Sequence, residues 1–203
     1  MPKIVSEQER EIMRQQIIGA AAEEFSRVGF EQTGIEAVAE RAKVGKGTIY
    51  LYFDSKKGLF LAMLEEIARQ QLAELKAALA KQSGLKARVA TLISSFNQQI
   101  QEQPEAFRIF ISSLFGVNRQ FKQEAASHRR NLLKLIEELL EEARAAGEIT
   151  LPVEPAALFL LNTCESLALH AEALGFDPGY ISSQETLIFE MLMAGLKVEP
   201  PAL

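Results

Sequence analysis

Two short apolar runs separated by a three-residue break constrain this chain more than anything else in it. Ile35, Val38, Ala39 and Ala42 recur at helical spacing, and Thr33 with Glu36 has the pattern of a capping box at that helix start. After Lys43-Val44-Gly45 a second segment, Lys46-Gly47-Thr48-Ile49-Tyr50-Leu51-Tyr52-Phe53, carries core and solvent faces of its own. At about 100° per residue, Ile49 and Phe53 share the inward face, and Gly47, Thr48 and Leu51 point away from it. Two helices joined so tightly make a helix-turn-helix, a unit that commonly lays its second helix in the DNA major groove.

The exposed face of that second helix suits a duplex. Gly47 has no side chain, so backbone can approach a groove wall closely. Thr48 can donate or accept at a base edge or touch a thymine methyl, and Leu51 offers apolar contact. Lys46 reaches guanine or phosphate. Tyr50 and Tyr52, on the flanks, either meet phosphate oxygens or simply cover the small core.

Charge placement points the same way. The chain holds 22 basic against 27 acidic residues, net −5, yet residues 41–57 hold five cations (Arg41, Lys43, Lys46, Lys56, Lys57) against Asp54 alone. An acidic chain that keeps one cationic stripe suits a localised polyanion contact. Ser55 reads as the N-cap of the next helix, which puts Lys56 and Lys57 in its first turn, where cations oppose the helix dipole. Phosphate at that helix end would meet backbone N–H groups and both ammonium groups.

Thr33, Ile35, Val38, Ala39, Ala42, Val44, Lys46 to Tyr50, Tyr52-Phe53, Ser55-Lys56 and Leu59-Phe60 resemble, in order, the amino-terminal domain of the tetracycline-repressor (TetR) family of bacterial transcriptional regulators. The resemblance covers residues 10–63. It implies a homodimer whose first three helices bind operator DNA and whose larger helical domain binds a small inducer. On that analogy Thr33, Tyr50, Tyr52 and Lys56 contact phosphate, while Lys46, Gly47, Thr48 and Leu51 approach bases. Three positions depart from the family pattern: Lys43 stands where glycine is usual, Gly45 where serine or threonine caps the helix, and Lys57 where an acid is common. Either Lys43 adopts a left-handed conformation or Gly45 takes the positive φ in its place.

The rest of the chain reads as an all-α fold. A first helix starts at Ser6, with Glu9 completing a capping box, and runs through Met13, Ile17, Ala21 and Phe25 to Gly29. A fourth, over residues 56–81, leaves the DNA-binding unit without a linker. Further helices are expected at 85–101, 104–115, 120–146, 155–174 and 183–198, with breaks at glycine and proline clusters. The expected division is residues 1–55 for DNA and 56–203 for ligand binding and dimerisation. Apolar content of 48% is ample for both cores. No window is apolar enough to span a membrane, residues 1–14 are too polar for a signal peptide, and Cys164 is the single cysteine. A soluble cytoplasmic protein is expected.

Phe96, Phe107, Phe110 and Phe115 can line a cavity for a hydrophobic inducer, aromatic or acyl, or simply fill a helical core. Asn162, Glu165 and Ser166 share a face at i, i+3, i+4 spacing and can hold one polar ligand group. A buried, unpaired Glu165 would favour a cationic or hydrogen-bond-donating inducer, whereas Glu165 paired with an arginine, or at a dimer seam, would be structural. Surplus apolar surface on the last two helices suggests a partner, and the resemblance implies that this partner is a second copy of the chain. Catalysis is not expected, because His128 and His170 lie on separate helices with no serine or cysteine motif beside them. No metal-ligand spacing and no cofactor motif is present either. His128, next to Arg129 and Arg130, reads as a surface residue. The expectation is a ligand-responsive repressor that binds a palindromic operator as a homodimer.

Overall fold

The structure, a computed structural model, describes residues 6–102, 121–174 and 178–196, the side chains of Glu124 and of residues 167–183 excepted. Its described regular structure is helical: α1 (Glu7–Gln32), α2 (Ile35–Arg41), α3 (Lys46–Tyr52), α4 (Lys56–Ala80), α5 (Leu85–Glu102), α6 (Lys122–Ala145), α7 (Val153–Leu174) and α8 (Pro178–Leu196). The helix expected at 104–115 lies outside the described residues. α8 begins at Pro178 rather than at 183, because proline is pre-organised for a first helical position, where its missing N–H costs nothing. The chain divides into two compact units, Met1–Arg69 and Gln70–Leu203. This division falls inside α4, whose Leu59, Phe60 and Met63 are buried and belong to the first unit.

The first unit is built on α1. Its capping box forms as read, with Glu9 N–H donating to Ser6 Oγ at 3.1 Å and Ser6 N–H donating to Glu9 Oε2 at 2.8 Å. Ile17, Ala21 and Phe25 are fully buried, as are Val38 of α2, Ile49 of α3 and Leu59 and Phe60 of α4. α1 packs on α2, and α2 on α3. Gly29, at φ 80°, breaks the helical course near the carboxyl end of α1. The Phe25 and Phe60 rings then meet edge to face at 4.9 Å, and Phe30 meets Phe60 at 4.9 Å as well.

The turn between α2 and α3 closes as a Schellman motif. Val44 N–H donates to Ala39 O at 2.9 Å and Lys43 N–H to Glu40 O at 3.0 Å. The residue that must be left-handed is Lys43, at φ 54°, the one non-glycine with positive φ among the described residues. Gly45 is extended, at φ −74°. A side chain in that conformation costs about 1–2 kcal/mol. Attraction of the ammonium to the carboxyl end of α2 offsets about 0.3–1 kcal/mol of it. The same motif ends α6, where Gly147 at φ 75° fills the left-handed position and Glu148 N–H donates to Ala143 O at 2.9 Å.

In the second unit α5 packs against α8 and α6 against α7, with α7 also touching α8. Leu92, Ile93, Ile136, Leu140, Leu160 and Leu196 lie in their common core. α5 starts after Gly84, at φ 78°, which has no side chain to cap the helix. Glu148 supplies that acceptor from the α6–α7 loop, its Oε2 taking the Leu85 N–H at 2.8 Å. A carboxylate there also meets the positive end of the helix dipole.

Phe60 is fully buried against two rings, so Phe60→Ala is expected to cost about 3–5 kcal/mol in urea unfolding. A loss below about 1 kcal/mol would mean that this ring is not part of the core.

Candidate nucleic-acid interface

The face of α3 sorts as its periodicity requires. Ile49 is fully buried and Phe53, just after the helix, is 6% exposed, while Leu51 is 78% and Tyr50 44% exposed. Gly47 is exposed and a Cβ there would meet nothing within 4 Å, so its backbone lies open to a groove wall. Thr48 and Tyr52 are half-buried. α3 starts without a side-chain cap, because Gly45 occupies the N-cap. The turn is steadied from α1, where Gln16 Nε2 donates to Ala42 O at 2.8 Å, a role that no periodicity reveals.

Thr33 corrects the sequence reading. The N-cap of α2 is Gly34, with no side-chain bond. Thr33 is 3% exposed, and both its N–H (3.3 Å) and its hydroxyl (2.7 Å) reach back to Gly29 O. The glycine break leaves that carbonyl without a helical partner, and Thr33 satisfies it. The hydroxyl is thus engaged at the end of α1, and the Thr33–Glu36 capping box does not form.

The cationic stripe is largely satisfied from within. Arg41 Nε donates to the buried Glu24 at 2.6 Å and its terminal nitrogen pairs with Glu23. Arg27 and then Arg41 hold the Glu24 carboxyl below the usual carboxylate range. Lys46 Nζ lies 2.5 Å from Glu36 Oε1, a pairing that raises the lysine and lowers the glutamate. Lys56 donates to Glu31 O at 3.1 Å and Thr33 O at 3.0 Å, and sits 4.7 Å from the Phe30 ring centroid. Its ammonium thus serves the carboxyl end of α1, where a cation is favourable, rather than opposing the dipole of α4 alone. Ser55 does cap α4, accepting the Gly58 N–H at 3.0 Å. The side chains of Lys43 and Lys57 are exposed and make no ion pair or hydrogen bond among the described residues.

Not all of the residues read as ligand-binding fall among those described. Phe107, Phe110 and Phe115 lie outside the described residues, and Phe96 is 4% exposed inside the second unit's core. Glu165 is buried but not unpaired: Arg129 Nε meets its two oxygens at 3.0 and 3.1 Å, and the same guanidinium donates to Asn162 Oδ1 at 2.6 Å. Burial raises the Glu165 carboxyl while Arg129 pulls it down. This compensated pair removes the argument for a cationic inducer. Ser166, by contrast, is exposed. Asn97, 5% exposed, donates to Glu185 Oε2 at 3.2 Å.

Neither Cys164 nor His128 is set up for catalysis. Burial pushes the Cys164 thiol up to about 12 and the His128 imidazole down to about 4, and His128 is half-buried rather than on the surface. Among the described residues no helix is long and apolar enough to cross a membrane.

A paired helix motif with an open second helix, carried on a mostly buried three-helix core, defines a helix-turn-helix DNA-binding protein. Residues 17–63 match the family model described as bacterial regulatory proteins, tetR family. The chain is 25% identical over 134 residues to the fatty acid metabolism regulator protein of Bacillus subtilis, covering 66% of this chain and 69% of that one. It is 28% identical over 145 residues to the transcriptional regulator RutR of Escherichia coli K12, with 71% and 68% covered. The transcriptional regulator FadR of Bacillus subtilis, solved in complex with stearoyl-CoA, shares the fold, with TM-score 0.76 at 22% identity over 89% of this chain and 98% of that one. The chain thus carries, over residues 17–63, the domain of the tetR family of bacterial regulatory proteins, and these relatives are regulators rather than enzymes.

The half-buried imidazole sets a pH dependence. His128 has its folded pKa depressed from 6.5 to about 4, so between those values the unfolded chain takes up a proton that the folded chain refuses. Stability therefore falls as pH drops through that window. Urea midpoints at pH 7 and pH 5 are expected to differ more for wild type than for His128→Gln, and equal differences would refute the assignment.

Proposed function

We propose that this regulator is a repressor that binds a palindromic operator as a homodimer and is released by a hydrophobic, acyl-type ligand. The observation that carries the DNA half is the exposed edge of α3, where Gly47, Tyr50 and Leu51 stand open while Ile49 is fully buried. Lys46, Gly47, Thr48 and Leu51 face bases in this reading, and Tyr50, Tyr52, Lys56 and Lys57 hold phosphates. Lys46 exchanges its partner Glu36 for DNA, and Lys56 uses the N–H that its two carbonyl partners leave over. The cytoplasm is the compartment where such a partner is met.

Dimerisation is supported by apolar side chains left open on the last two helices. Phe159 of α7 is 51% exposed, and Leu187 and Met191, one turn apart on α8, are 58% and 66% exposed. A two-fold dimer through these helices would set two copies of α3 about 34–36 Å apart, or a multiple of that, along the duplex.

The acyl-type ligand is supported by the fatty acid regulator among the relatives and by the stearoyl-CoA held in the FadR structure. Phe96, and Phe107, Phe110 and Phe115 with it, would line the chain's path. Release requires that the ligand prefer the state that does not bind DNA. A hundredfold loss of operator affinity needs about 2.8 kcal/mol of differential binding.

Duplexes selected from random DNA, titrated with and without stearoyl-CoA, test this reading. Recovery of a palindrome and loss of binding with the thioester are expected, while equal affinities would exclude that compound as inducer. Tyr50→Ala is expected to weaken binding to all duplexes alike, and Thr48→Ala to change the preference among them. A uniform loss for both would refute that division. Met191→Glu is expected to halve the mass in sedimentation, and an unchanged mass would move the dimer seam elsewhere.

A further inference from the structure

We infer that Lys43, in the turn ahead of α3, is a phosphate-contacting residue of the DNA interface; this rests on the DNA-binding reading above. Three observations converge on it. Lys43 holds the one left-handed φ of a non-glycine residue among the described residues, 54°, in a motif whose other copy in this chain uses Gly147. A glycine would fit there without strain, and a strained side chain that persists points to a role outside the fold.

The second observation is electrostatic. Arg41, Lys46 and Lys56 are engaged by Glu23, Glu24, Glu36 and the carbonyls of Glu31 and Thr33. Lys43 is exposed and has no such partner among the described residues. Its full charge is open to solvent, where the others are partly neutralised. The third is position. Lys43 precedes α3 and Lys57, equally exposed and unpaired, follows it. In chain order the two lysines therefore flank the helix whose open edge would meet the groove. A duplex seated on that edge carries phosphates along both groove walls, and a lysine on either side of α3 can meet one strand each. Such contacts fix register without reading sequence, and each displaces condensed counterions.

Fluorescence anisotropy over about 50–200 mM salt, on a selected duplex and an unrelated one of equal length, tests the assignment. The proteins are wild type, Lys43→Gly, Lys43→Asn, Lys43→Arg and, as a charge control in the second unit, Lys134→Gln. Lys43→Gly is expected to melt higher than wild type yet bind both duplexes more weakly by a similar factor. Its plot of log affinity against log salt should be shallower by about 0.9. Lys43→Asn, which tolerates the left-handed turn without the charge, should match that slope, while Lys43→Arg and Lys134→Gln keep the wild-type slope. A wild-type slope and affinity for Lys43→Gly would overturn the inference and leave the regulator reading intact. A loss confined to the selected duplex would overturn it as well, by making Lys43 a base reader. Wild type without salt-sensitive binding would overturn the DNA-binding reading itself.

Discussion

The carboxyl end of α1 ties three segments of the amino-terminal unit together. Gly29 turns the backbone out of its helical course, and the carbonyls around the break are taken up by Thr33 from the next loop and by Lys56 from the start of α4. Phe30, carried past the break, meets Phe60 and lies under the Lys56 ammonium. The positions of α2 and α4 are therefore set by polar groups that close one helix end and by rings that pack over it. The helix α3 inherits its orientation from both, through the Schellman turn on one side and the Ser55 cap on the other.

That arrangement uses up charge. Much of what looks from composition like a surface for polyanions is spent inside the unit, holding α1 to α2 through Arg41 and α1 to α4 through Lys56. Exposed ion pairs such as Lys46 with Glu36 contribute little to stability, but they fix where a side chain waits. A lysine held by a carboxylate has fewer rotamers to lose when a phosphate or base takes that carboxylate's place.

Helices and inward faces were legible because apolar spacing speaks directly of burial. Ile35, Val38, Ala39 and Ala42 are buried as their spacing requires, and so are Ile49 and Phe53. Local caps were legible where the chain continues straight into a helix, as at Ser6 and Ser55. Thr33 misled because its hydroxyl had two helix ends within reach, and only the fold shows that Gly29 leaves the nearer carbonyl open. The partners of Lys56 were equally hidden, lying 25 and 23 residues earlier. The pairing of Glu165 with Arg129 spans 36 residues and two helices, a distance over which a single sequence carries no signal. The Lys43 turn was legible as a choice between two residues, and the backbone selected the more strained one.

Gly147 and Glu148 carry a consequence for motion in the larger unit. The left-handed glycine reverses the chain after α6 and brings the next carboxylate onto the first amide of α5. Two loops 63 residues apart in sequence are thereby stitched at one proton. Opening either loop exposes the Leu85 amide to solvent, so deuterium uptake at that site reports the breathing of both loops together. The faster of the two openings sets the rate at which that amide exchanges.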